Sequence, residues 1–174
     1  MNSSFGIMKN YVAAGALTAI LGAGGPAHAA GAPDFSVTYP TGIACSGFDL
    51  QVEGWDVGKS HSKQFTDRNG ILRIITAGTG YALTYTNLAT AAKLSTKSNG
   101  FVDNTTNTTY ALDGTQTKSL TGHNVVFMFP TDFPAGPSTT VYAGRVVIFV
   151  DLGGNFHVLE ESGKKIDICA SLSP

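Results

Sequence analysis

The sequence predicts an all-β fold: an antiparallel meander or up-and-down β-barrel with one disulfide, a β-sandwich being the alternative. Three observations predict it. Short apolar runs recur at the spacing of a strand plus a turn, punctuated by Gly, Asn and Asp. After residue 30 no stretch carries a helical pattern free of Gly and β-branched residues. Two cysteines, Cys45 and Cys169, stand near the two ends of what remains.

The elements follow in order. Residues 1–30 read as a cleaved secretory signal rather than as part of the fold. Lys9 is the positive residue, 11–25 is uncharged and rich in small and apolar side chains, and Ala27-His28-Ala29 is a small-x-small cleavage pattern. Residues 31–174 then form a single domain. Residues 35–39 are extended and stop at Pro40, and 48–53 alternate apolar and polar. Residues 62–66 and 71–77 flank Asp67-Arg68-Asn69-Gly70, a hairpin signal because Asn and Gly tolerate positive φ. Gly78 and Gly80 mark a further turn. Tyr81, Leu83 and Tyr85 alternate with small residues, and 93–98 ends at Asn99-Gly100. Residues 104–111, rich in Thr and Asn, read as a solvated edge strand or loop, and Asp113-Gly114 is a second hairpin signal. Residues 115–120 return and Gly122 breaks the run. Residues 125–129 are followed by an irregular stretch, 129–137, holding three prolines. Strands at 139–143 and 145–150 lie around Gly144, and 156–160 and 164–169 complete the set.

Composition narrows the function. The chain has 174 residues with 11 Lys and Arg against 12 Asp and Glu. A nucleic-acid binder working through phosphate neutralisation needs a basic face, which this balance excludes. At 43% hydrophobic and 13% charged residues, the chain is no disordered acidic tail. No stretch is suited to span a membrane as a helix. The two cysteines, in an exported chain, form one disulfide between Cys45 and Cys169.

Catalytic signatures are missing. The histidines His61, His123 and His157 are scattered without metal-ligand spacing, so neither a metal nor a cofactor is expected. There is no Gly-x-Ser-x-Gly elbow after residue 30. Glu160 and Glu161 are adjacent, and neighbours on a strand point to opposite faces. Asn104 and Asn107 head Asn-x-Thr sequons.

The stronger pointer is aromatic. Tyr81, Tyr85, Phe127 and Tyr142 fall on strands, as core packing or as a cavity wall with polar tips. Arg73 and Arg145 interrupt apolar strands, either facing solvent or turned inward to a ligand. These six residues are the candidate site for a small apolar molecule. Residues 125–129 and 146–150 are apolar on both faces. Their second face is covered by the 129–137 stretch or by another copy of the chain, which would make a homo-oligomer. The remaining readings are a cofactor-free barrel enzyme of the cyclase or isomerase kind, and a structural or interaction protein of the cell surface.

Four segments carry a resemblance: Phe65-Thr66-Asp67-Arg68-Asn69-Gly70, Tyr85-Thr86-Asn87, Tyr142-Ala143-Gly144-Arg145-Val146-Val147 and Asp167-Ile168-Cys169-Ala170. Together they resemble a group of small secreted β-rich proteins of actinomycetes. The resemblance implies export and β architecture. More loosely, the expected shape is similar to the allene oxide cyclase and dirigent barrels, a likeness of fold alone.

Overall fold

The computed structural model describes residues 31–56, 59–107 and 115–174. The signal reading of 1–30 and the Asp113-Gly114 turn lie outside them. The strands are β1 (Phe35–Tyr39), β2 (Leu50–Trp55), β3 (Ser60–Thr66), β4 (Leu72–Thr79) and β5 (Ala82–Asn87). They continue with β6 (Lys93–Thr96), β7 (Gly100–Asn107), β8 (Gln116–Met128), β9 (Ser138–Val150) and β10 (Phe156–Asp167). One short helix, α1 (Ile168–Leu172), ends the chain. The antiparallel, helix-poor class is the expected one.

The connectivity is not a plain run of hairpins. The strands pair as β1-β2-β5-β6 and as β10-β9-β8-β7-β4-β3. Gly78 and Gly80 therefore mark a change of sheet, because β4 pairs with β3 and β7 while β5 pairs with β2 and β6. Residues 104–107 of the Thr/Asn run are no edge, since β7 lies between β4 and β8, and residues 108–111 lie outside the described residues. A polar strand is tolerated there because this wing of the sheet carries little core. Every residue of β3 is exposed, and β4 is half-buried along nearly its whole length. Cross-strand ladders rather than burial hold it.

Gly122, Gly144 and the 161–163 region do not end strands either. β8, β9 and β10 run through them as continuous strands of 13, 13 and 12 residues. Gly122, Gly144 and Gly163 stand side by side across the three strands. Gly122 has φ 87° and Gly163 φ 99°, where a side chain is strained. A Cβ on Gly144 would sit 2.2 Å from the Ser162 carbonyl oxygen, and one on Gly122 would sit 2.4 Å from that of Gly100. The sheet bends sharply along this row, and the neighbouring backbones come too close for any side chain.

The bend separates two cores. On one face of β8 and β9, Val125, Phe127 and Val141 pack against Leu50, Val52, Leu83 and Tyr85 of the four-stranded sheet and against Ile168 and Leu172 of α1. Tyr39 stacks on Phe127 at 5.1 Å. On the other face, Val126, Met128 and Tyr142 meet Val146, Ile148 and Phe156 from beyond the bend. Burying each of these large side chains contributes about 2 kcal/mol. Strands 125–129 and 146–150 thus obtain most of their double cover within one chain.

α1 is too short to persist alone. Asp167 caps it, its carboxylate accepting from the Ala170 N–H at 2.9 Å. Asn87 Nδ2 donates to the Leu172 carbonyl at 3.0 Å, and the Cys45–Cys169 disulfide ties the helix to the 40–49 segment.

Candidate functional site

A cleft of about 310 Å³ opens on the inner side of the bend. Met128, Val158 and Pro134 are the apolar part of a lining in which polar surface predominates, and Ser138 and Thr140 of β9 also line it. Tyr142, Glu161, Lys165 and Asp167 bring polar groups to it. A flat strand could not assemble this set. Residues four apart on an extended strand lie about 13 Å from one another. Yet the Lys165 ammonium donates to Glu161 Oε1, and the Tyr142 hydroxyl, whose register partner is Lys165, donates to Glu161 Oε2 at 3.1 Å. The bend at Gly163 folds Glu161 back toward Lys165 and makes both contacts possible.

The electrostatics follow from those contacts. Burial, reinforced by the Glu161 charge, pushes the Tyr142 hydroxyl up to about 12. The Lys165 hydrogen bond holds the Glu161 carboxyl below its ordinary range. At neutral pH Tyr142 is a neutral donor and Glu161 an ionised acceptor, so neither is poised to exchange a proton.

The 129–137 stretch reaches the cleft through Pro134. Phe133 pairs with the outer edge of β10, donating to Phe156 O at 2.7 Å and accepting from Val158 N at 2.8 Å. Asp132, 4% exposed, pins the turn by accepting from Phe129 N at 2.6 Å and Phe156 N at 2.8 Å. Replacing Asp132 with Ala removes the carboxylate that both N–H groups donate to. Urea titration of the variant is expected to show a loss of about 2 kcal/mol; an unchanged midpoint would mean the turn holds without its carboxylate.

The six sequence candidates do not converge. Tyr142 alone of them lines the cleft. Phe127 and Tyr85 belong to the core beneath the four-stranded sheet, and the buried Tyr85 hydroxyl, beside Thr96, has its pKa raised by that burial. Tyr81 stands at the rim of the same core with its ring against Phe35 at 5.2 Å. The arginines lie on the outer face of the six-stranded sheet. Arg73 donates to Asp67 at 2.7 Å and to Thr106 at 3.2 Å. Arg145 donates to Glu160 at 2.5 Å and to Ser119 at 3.3 Å.

Sequence reasoning missed Glu161, Lys165 and Asp167. Glu160 and Glu161 do face opposite ways: Glu160 pairs with Arg145 outside while Glu161 reaches Tyr142 inside. The available signal was Gly163, a glycine inside a charged strand, which marks a bend. Of the sequons, Asn104 sits in mid-strand with its amide oxygen buried. Among the described residues no helix is long and apolar enough to cross a membrane. Comparison with protein-family models, curated proteins and solved structures finds no match.

Proposed function

We propose that the chain is an exported, non-catalytic binding protein whose cleft takes a small molecule with an apolar body and a polar end. The observation that carries this reading is the cleft itself. A deliberate bend gathers apolar side chains and a tied Tyr142–Glu161–Lys165 cluster into one concave place. Export is supported by the composition of residues 1–30 and by the disulfide, which suits an oxidising compartment. We read the fold as barrel-like, since the six-stranded sheet curls onto its own inner face while the four-stranded sheet covers part of its outer one.

Binding is favoured over the cofactor-free enzyme reading by the protonation states above. A general acid or base works best with its pKa near the operating pH. The homo-oligomer and surface-structural readings lose support because residues 125–128 and 146–148 are covered within the single chain.

Nile red, an uncharged solvatochromic dye, provides the test. Saturable one-to-one binding to the wild type is expected. Thr140→Trp, which fills the cleft from β9, is expected to weaken it at least about tenfold, roughly the 1.4 kcal/mol of one displaced apolar contact. Equal binding to both proteins would place the dye elsewhere and remove the basis of the reading.

A further inference from the structure

We propose that the ligand of the cleft carries a cationic head group. This rests on the binding reading above and adds the ligand's charge. Three charged side chains stand at the cleft, Lys165 positive and Glu161 and Asp167 negative. Lys165 and Glu161 are joined in an ion pair, and the second Glu161 oxygen accepts from Tyr142. That pair is closed upon itself. Asp167 is not: one of its oxygens caps α1 through Ala170 N, and no cation pairs with it among the described residues.

Nearby charges do not alter the balance. Lys164 registers with Ala143, one position off the Tyr142–Lys165 pair, and so belongs to the opposite face of β10. Arg145 and Glu160 neutralise each other on that outer face. The cleft therefore keeps one negative charge without a cationic partner, on Asp167, and an aromatic ring, Tyr142, two register positions along the same face. A cation there meets the Asp167 carboxylate and the Tyr142 ring together, while its tail lies on Met128 and Val158. An anionic head would enter beside two carboxylates.

Three probes of one tail length separate the outcomes: decyltrimethylammonium, decanoate and decanol. Each is titrated below its micellar concentration into isotope-labelled protein and followed by NMR. Decyltrimethylammonium is expected to shift the resonances of Met128, Val158 and Tyr142 and to bind roughly two- to fivefold more tightly than decanoate, the scale set by one exposed charge contact. Its affinity is expected to fall on raising salt to about 0.5 M, whereas that of decanol holds, a readout needing no variant. Asp167→Asn retains the helix cap through its amide oxygen and is expected to erase most of the preference. The double variant Glu161→Gln/Asp167→Asn leaves Lys165 as the sole charge and is expected to reverse it. If decanoate equals or exceeds the cation on the wild type while cleft resonances shift, the charge inference is overturned and the binding reading stands. If no probe, decanol included, moves those resonances, both fall.

Discussion

Reducing the Cys45–Cys169 bridge, or replacing both cysteines with Ala, is expected to lower stability by about 4 kcal/mol. The bridge joins residues 124 apart, with Cα atoms 5.5 Å from each other. Opening so long a loop releases much chain entropy to the unfolded state. The structure adds a local reason. On one side the bridge anchors the 40–49 segment, whose Ala44, Cys45 and Phe48 enter the core. On the other it anchors α1, five residues long, which places Ile168 and Leu172 over the same core. Without the bridge, α1 relies on the Asp167 cap and the Asn87 hydrogen bond. Amide exchange should therefore quicken first in α1 and in the 40–49 segment, and only later in the β8–β9 ladder. The measurements are a guanidinium titration with and without reductant and an exchange map of the reduced protein. Coincident titrations would show that the bridge adds nothing to the native state.

Gly144→Ala is expected to cost about 3 kcal/mol, as overpacking against a backbone that cannot yield. The new methyl would lie 2.2 Å from the Ser162 oxygen and 2.9 Å from Gly163 Cα. Both are main chain, so no rotamer change relieves the contact. The strands must part or the bend must open. Opening it exposes the Tyr142 hydroxyl, whose burial is the main cause of its raised pKa, and draws Glu161 away, so it should titrate below its value of about 12, toward the ordinary tyrosine value of about 10. Gly70→Ala is the control: its φ is 78°, but nothing lies within 4 Å of the added methyl. Only backbone strain of about 1 kcal/mol is expected there. Denaturant titrations of the two variants, with ultraviolet titration of the tyrosines, check both statements. Equal losses would show that the glycine row is not a packing requirement.

The parts of the fold legible in the sequence are those set by neighbours along the chain. Asp67-Arg68-Asn69-Gly70 turns as expected, with the Asp67 carboxylate accepting from Asn69 N at 2.8 Å and from Ile71 N at 3.1 Å. The alternation in 48–53 matches the buried and half-buried sequence of β2. Tyr142 stands out in the sequence as an aromatic with a polar tip on an apolar strand, and the structure places it in the lining of the cleft. Gly122 and Gly144 were misread as breaks. A glycine interrupts an apolar run in the same way whether a strand ends or bends, and only the neighbouring strands distinguish the two. The Thr/Asn strand β7 misleads for a related reason: polarity usually marks an edge, but β7 is a half-buried strand flanked on both sides, and its polar side chains sit inside the sheet.

By itself, the sequence determined the helix-poor class, most strand positions and the cysteine pair. Each depends on side-chain alternation, turn chemistry or composition, which act within a few residues or need no geometry. The tertiary structure alone decided how the strands divide between two sheets, where three of them bend together, and that Tyr142, Glu161, Lys165 and Asp167 share one cleft. The reason is that a bend in a sheet is a property of several adjacent strands. It takes residues that a straight strand would hold far apart and sets them side by side.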